Sequence, residues 1–259
     1  MANKIVAVWG SPGSGKTILS IKLAIELARA KKNVTIVFND IICPTINTIL
    51  PGLKNNEKSL GKILSSTNIN GEKVLENCTI IEKNKYIAMI GYKQRDNIYS
   101  YPEYSVTKVI DFFKVLASIT DYIIIDCSSY FFIDQLTSIA LEKADTVIRL
   151  ISPNLKSISY FDSNLPLLID NTFSINKHIN ILSNIRYDDP INELKEIYDI
   201  KYKLPHLDEI REQLLSGRIM NELSSRERYS YNQVLRNLST SIIGNNYDDN
   251  KNRIRFWRK

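Results

Sequence analysis

The sequence predicts an α/β domain in three layers: a mostly parallel sheet with helices on both faces. Three observations carry this. Short, almost wholly apolar, β-branched runs recur along the chain, as they do in strands buried on both sides. These runs alternate with stretches of helical periodicity, the pattern of repeated βα units. The first run also leads through a glycine-rich turn straight into a helix.

That first run is Lys4-Ile5-Val6-Ala7-Val8-Trp9, and from Ile18 to Ala30 apolar residues follow at helical spacing (Ile18, Ile21, Ile25; Leu19, Leu23, Leu27). Val34 to Phe38 is the second strand. Pro44 and Pro51 then interrupt any helix, leaving a short one at Leu60 to Ser65. Thr79 to Ile81 and Tyr86 to Ile90 read as two strands joined by the charged turn Glu82-Lys83-Asn84-Lys85. Val106 to Ile119 is a helix with Val109, Phe112, Phe113 and Leu116 on one face. The strongest strand, Tyr122 to Ile125, ends at Asp126. Ile133 to Ala144 is a helix, Thr146 to Ile151 a strand, and Ser157 to Ile169 a helix that runs through Pro166. The strand Ile179 to Ser183 precedes a helix at Glu193 to Tyr198. Leu207 to Leu215 and Ser225 to Ile242 are the closing helices, and from Gly244 the chain turns polar. The expected division is an α/β domain over 1–243 and a tail over 244–259. The tail's end, Lys251 to Lys259, interleaves five cationic residues with Ile254, Phe256 and Trp257.

At 259 residues the chain is long enough for one α/β domain with a substantial core and short for two. Apolar residues at 44% and charged residues at 24% describe an ordinary globular protein. A net charge of +6 permits contact with DNA or an anionic membrane surface and requires neither. Cys43, Cys78 and Cys127 are odd in number and far apart, and with His178 and His206 as the only histidines no structural zinc site is expected. Reduced thiols point to the cytosol. No secretory pattern opens the sequence, and no apolar stretch approaches the ~20 residues of a membrane span. The expected location is cytoplasmic, at most peripheral at the inner face of the membrane.

The glycine-rich turn reads Gly10-Ser11-Pro12-Gly13-Ser14-Gly15-Lys16-Thr17, a complete GxxxxGK[ST] phosphate-binding loop between a strand and a helix. Glycines let successive backbone N–H groups point inward, and the helix start adds its positive dipole end. Lys16 is the candidate cation for the β- and γ-phosphates and Thr17 the candidate Mg²⁺ ligand. Such a loop needs an acidic residue at the end of a neighbouring strand, and Asp126 is placed for it, with Ser128 and Ser129 following as a γ-phosphate-sensing segment. Asp40 occupies the same position after the second strand, in Phe38-Asn39-Asp40, and is the candidate for orienting the attacking water. The fold class is therefore the three-layer P-loop NTPase fold, and a nucleoside triphosphate is the expected ligand.

On these residues the chain resembles the MinD/ParA-type ATPases, with the CpaE/TadZ pilus-localisation group as the closer branch, over roughly residues 3–240. The resemblance makes Asp40 the switch I aspartate and Asp126 the Walker B residue. It also implies that Asn184, in Leu182-Ser183-Asn184-Ile185-Arg186, reads the adenine edge. Pro205, in Leu204-Pro205-His206-Leu207-Asp208, would pack on the base. No guanine-reading Asn/Lys/Asp pattern of the NKxD kind is present, which favours ATP with Mg²⁺ over GTP. One departure stands out: the family's second, signature lysine is replaced by Ser11, and a hydroxyl cannot supply a cation to the transferred phosphoryl group.

The resemblance then implies an ATP-binding switch with slow or partner-stimulated hydrolysis. Its work would be to position or assemble a pilus, secretion or conjugation apparatus, and an ATP-dependent homodimer and protein components of that machine would be its partners. Two alternatives stay open: a ParA-like DNA-partitioning ATPase, using Arg226, Arg228 and Arg236, and a nucleotide-binding scaffold without turnover. The basic, aromatic tail is read as a solvated end or as a membrane-surface or nucleic-acid contact. Bacterial tyrosine kinases share the nucleotide motifs, but Tyr247 is the lone tyrosine in the tail where a cluster would be needed. Tyr99, Tyr101 and Tyr104 read as packing or a partner surface.

Overall fold

The computed structural model describes residues 4–53, 57–169, 171–224 and 228–244. Among these, the strands β1 (Lys4–Gly10), β2 (Val34–Phe38), β3 (Thr79–Ile80), β4 (Ile87–Gly91), β5 (Tyr122–Asp126), β6 (Thr146–Ile151), β7 (His178–Ile185) and β8 (Tyr202–Pro205) form one sheet. Its order is β3-β4-β2-β5-β1-β6-β7-β8, with β3 antiparallel to β4 and every other pair parallel. The helices follow in chain order as α1 (Lys16–Arg29), α2 (Ile46–Ile49), α3 (Leu60–Leu64), α4 (Gly71–Glu76), α5 (Val106–Ile119), α6 (Gln135–Lys143), α7 (Leu155–Asn164), α8 (Ile191–Tyr198), α9 (Asp208–Leu215) and α10 (Arg228–Ile243).

Alternation along the central strands divides the core into two halves. Val6 and Val8 of β1 point to the layer that holds α1 and α10, where Leu19, Leu23, Leu27, Leu235 and Leu238 are buried. Ala7 and Trp9 point to the other layer, against Phe112, Leu116, Leu136 and Phe161 of α5, α6 and α7. Each Val, Leu or Phe side chain among them contributes roughly 1.5–3 kcal/mol on leaving water, so both faces of the sheet are held in place by burial. The central position of β1 sets its carboxyl end between those of β5 and β6, where parallel sheets bind ligands.

Three caps show the local code. Ser105 accepts from Lys108 N at the start of α5, Asn154 from Ser157 N at α7, and Asp134 from Leu136 N at α6. Because Asp134 is the cap, α6 begins at Gln135 and Ile133 stays outside it. The helix expected over 157–169 is shorter and earlier: α7 stops at Asn164, and Leu165–Leu168 continues as a 3₁₀ turn. Pro166 is the reason, since it lacks an N–H and its ring crowds the carbonyl four residues back. β8 was not read from the sequence. It is an edge strand carrying Lys203 and ending in Pro205, residues that blunt an edge and hide its strand signal. The expected residues 225–227 of the last helix, with Arg226, and the tail over 245–259 lie outside the described residues. Among the described residues no helix is long and apolar enough to cross a membrane.

Candidate functional site

The glycine-rich loop closes between β1 and α1 with the conformations its sequence demands. Gly13 (φ +74°) and Gly15 (φ +89°) take the left-handed backbone that only glycine adopts freely, and Gly15 caps α1. Gly10 is needed for a different reason: a Cβ there would lie 2.3 Å from the Leu150 carbonyl oxygen of β6. Pro12 and Gly13 are exposed, whereas Ser11 and Ser14 are buried. Ser183 at the end of β7 donates to the Ser14 carbonyl at 2.7 Å and ties the loop to its neighbouring strand.

Lys16 curls back across the loop. Its Nζ donates to Ser129 Oγ at 2.7 Å and lies 3.2 and 3.3 Å from the carbonyl oxygens of Ser11 and Gly10. Burial lowers its affinity for a proton, and Asp126, Cys127 and Asp40 pull in the other direction. One residue on, Thr17 Oγ1 donates to Asp126 Oδ2 at 2.6 Å, and Ser20 Oγ reaches Asp126 Oδ1 at 3.4 Å. Asp126 is paired in register with Val8 of β1 and Phe38 of β2, so it sits at the shared carboxyl end of three strands. Burial pushes its carboxyl up to about 6, opposed by the Thr17 hydrogen bond and the Lys16 charge. A hydroxyl beside a buried carboxylate is an all-oxygen donor set that suits Mg²⁺, which takes one or two protein ligands and fills the rest with water and phosphate oxygens. Among the described residues there is no cluster of three or more His, Cys, Asp or Glu that could hold a metal ion.

Asp40 follows β2 and closes a turn, its Oδ1 accepting from Ile42 N at 2.9 Å and Cys43 N at 3.0 Å. Asp40 lines a cavity of about 510 Å³ together with Asn39, Ile42, Ile98, Tyr104, Tyr130 and Asp134. The segments that follow β2 and β5 meet there. Asn39 Nδ2 donates to Asp134 Oδ2, Tyr104 OH donates to Asp134 Oδ1 at 3.1 Å, and Thr137 Oγ1 accepts from Ser128 N at 3.0 Å. Tyr101 packs its ring directly over Gly61 and bonds Asp96, while Tyr99 is exposed.

A second cavity, about 190 Å³, opens on the other side of the loop. Gly13, Ser14 and Gly15 line it with Asn184, Pro205, His206, Arg211 and Tyr231. Asn184 and Pro205 are thus brought to one pocket beside the loop. A β-bulge between β7 and β8 puts Asn184 into left-handed backbone (φ +60°), a conformation asparagine tolerates, and turns it towards the end of β8. Ser11 is bonded through its Oγ to Ser157 Oγ at 2.8 Å inside the fold.

Sequence reasoning passed over several participants. Ser129 was read only as part of a segment, Ser183 was given no role, and His206 was read as ordinary. Lys22 is not singled out by the sequence. It is buried, and its Nζ donates to Gln213 Oε1, Ile219 O and Asn221 O at 2.7, 2.8 and 2.7 Å, fastening the loop after α9 to α1. The signal that could have found it is its place on the apolar face, three residues after Leu19 and one before Leu23.

No known protein-family model matches the chain. An uncharacterized ATP-binding protein of Methanocaldococcus jannaschii is 27% identical over 159 residues, covering 61% of this chain and 56% of that protein. The matched region thus spans about half of the curated relative's length. Among solved structures, a ParA family ATPase of Chlorobium tepidum superposes with a TM-score of 0.73 at 18% identity, over 92% of this chain and 98% of that one. The septum site-determining protein MinD of Pyrococcus horikoshii, complexed with Mg-ADP, superposes at 0.67 with 17% identity over 93% and 96%. The fold is that of the MinD/ParA ATPases.

Proposed function

We propose that this chain binds ATP with Mg²⁺ at Gly10 to Thr17 and acts as a nucleotide-dependent switch whose hydrolysis is slow until a partner assists it. The observation that carries the reading is the 2.6 Å contact between Thr17 and the buried Asp126 carboxylate, one residue from a lysine already seated over the loop. Mg²⁺, when bound, would supply charge neutralisation to the nucleotide. Thr17 and Asp126 hold it directly or through water, Lys16 stabilises the transferred charge, and Asp40 orients water. Asn184 contacts the adenine edge and Pro205 packs on the base. The curated relative's ATP-binding description and the Mg-ADP in the Pyrococcus structure support the same ligand.

Slow turnover follows from Ser11. Its side chain is buried against Ser157 and offers no cation across a nucleotide-bridged interface. What does face outward is apolar: Ile42, Ile98, Tyr130 and Ile133 are exposed around the cavity between the switch segments, with Tyr99 and Phe132 beside them. We infer that this face receives a second copy or a component of a pilus, secretion or conjugation machine when ATP is bound. Lys16→Ala is expected to weaken ATP binding at least tenfold, about 1.4 kcal/mol, by equilibrium titration; unchanged affinity would remove the site as described. Light scattering with and without ATP and Mg²⁺ tests the dimer. Salt-sensitive DNA retention only with ATP would instead favour the partitioning role.

A further inference from the structure

We propose that Asp134 is a positioning residue for hydrolysis, holding Asp40 and the segment after β5 in one fixed relation to the phosphate loop. The proposal deepens the reading of Asp40 as the residue that orients water, and rests on it. Its basis is a convergence of donors. Asp134 Oδ1 accepts from Leu136 N at 3.2 Å and Tyr104 OH at 3.1 Å, and Oδ2 accepts from Thr137 Oγ1 at 2.6 Å and from Asn39 Nδ2. Four donors on two oxygens fill the capacity of an ionised carboxylate.

Capping α6 accounts for one of the four. The Leu136 amide belongs to the helix, and a serine or asparagine at the cap would serve it as well. Two donors come from other parts of the chain: Asn39 from the end of β2 and Tyr104 from the stretch before α5. The fourth, Thr137, passes the contact on. Its hydroxyl hydrogen goes to Asp134, so its lone pairs accept from Ser128 N at 3.0 Å and Asn39 Nδ2 at 3.0 Å. Because a carboxylate cannot donate, the end of the Asn39 amide that faces it is the NH₂.

Asn39 and Thr137 are both buried, and the Asn39 backbone N–H donates to the Asp126 carbonyl at 3.1 Å. Asn39 is therefore held by main chain and side chain at once. Asp40 is the next residue, and its Oδ1 closes the turn by accepting from Ile42 N and Cys43 N. On the other branch Ser129 follows Ser128, and its hydroxyl accepts from Lys16 Nζ at 2.7 Å. Asp134 thus stands one residue behind both groups. A displacement of about 1 Å in such a group slows a catalysed step on the order of a hundredfold, so the clamp bears on rate.

Asp134→Ser separates cap from clamp. Serine keeps a helix-capping oxygen but is too short to reach Asn39 or Tyr104. In single turnovers of radiolabelled ATP the variant should hydrolyse at least about tenfold more slowly, with ATP affinity within about twofold of the natural protein's. The amides of Ile42 and Cys43 should exchange hydrogen at least about tenfold faster in the nucleotide-free protein, while α6 stays protected. Unchanged hydrolysis, unchanged exchange at those two amides, or a loss of rate matched by a loss of affinity would each overturn the proposal. Should the serine variant fail to fold, Asn39→Leu removes the same clamp, leaves the cap in place and is read in the same ways. Asp40→Asn separates the levels. If it leaves hydrolysis unchanged, or if the natural protein has no turnover, the role of Asp40 fails and the proposal with it. If it slows hydrolysis while Asp134→Ser does not, the proposal alone fails.

Discussion

Asp126 is a carboxylate kept where a carboxylate is costly. Its carboxyl is raised from 3.8 to about 6 by burial, so the folded protein holds this proton more tightly than the unfolded chain does. The stability this provides is present at low pH and is lost as pH rises through 6; above that, ionised Asp126 costs the nucleotide-free fold roughly 3 kcal/mol. Asp126→Asn, which preserves an acceptor for Thr17, is therefore expected to raise the melting temperature of the nucleotide-free protein at pH 8 by several degrees. The same variant should lose the Mg²⁺-dependent part of the stabilisation by ATP. Differential scanning fluorimetry with and without Mg²⁺ reads both. At this scale the sequence was legible where a short motif fixes position: Lys16 and Thr17 open α1 and Asp126 ends β5, as the motif and one apolar run place them. It named Ser129 only within a segment and gave Ser183 no role, small hydroxyls whose importance comes only from what folds against them.

Between elements, two contacts carry more than their size suggests. Gly10 lets β1 and β6 close to within a distance that no Cβ fits, so Gly10→Ala should cost about 2–3 kcal/mol and appear as a lowered urea midpoint. Removing the Lys22 ammonium, as in Lys22→Met, strands the buried Ile219 carbonyl, the partly buried Asn221 carbonyl and the Gln213 amide oxygen. The expected loss is at least about 3 kcal/mol, with faster hydrogen exchange in the 213–221 segment. Strands buried on both sides announced themselves through β-branched runs, and α5 through Val109, Phe112, Phe113 and Leu116, because burial acts on local pattern. β8 did not, because an edge strand selects for the polar residues that obscure it. The nearness of Asn184 and His206 was equally hidden: 22 residues separate them, and only the parallel pairing of β7 with β8 and its bulge brings them together.

Across the molecule, two buried groups pull the acid response in opposite directions. His178, against Arg149 at 2.7 Å, is lowered to about 4 by burial and the neighbouring guanidinium. Its contribution is complete above the ordinary value of 6.5 and is lost as pH falls through 4, whereas that of Asp126 grows over much the same range. The natural protein should thus show a shallow stability profile from about pH 7 to about pH 4, in which Asp126→Asn uncovers a steep acid loss and His178→Asn the reverse slope. Denaturant midpoints across that range are the measurement. The fold that holds these groups also places one further constraint on how the protein responds to its ligand. Lys16 satisfies its ammonium with two loop carbonyls and the Ser129 hydroxyl. Under the proposed function, an arriving triphosphate would compete for that same ammonium, and whatever it won would be taken from the segment that continues into Tyr130, Phe132 and Ile133. Occupancy would in this way be announced at the surface by the release of a tether, before any bond in the ligand is broken.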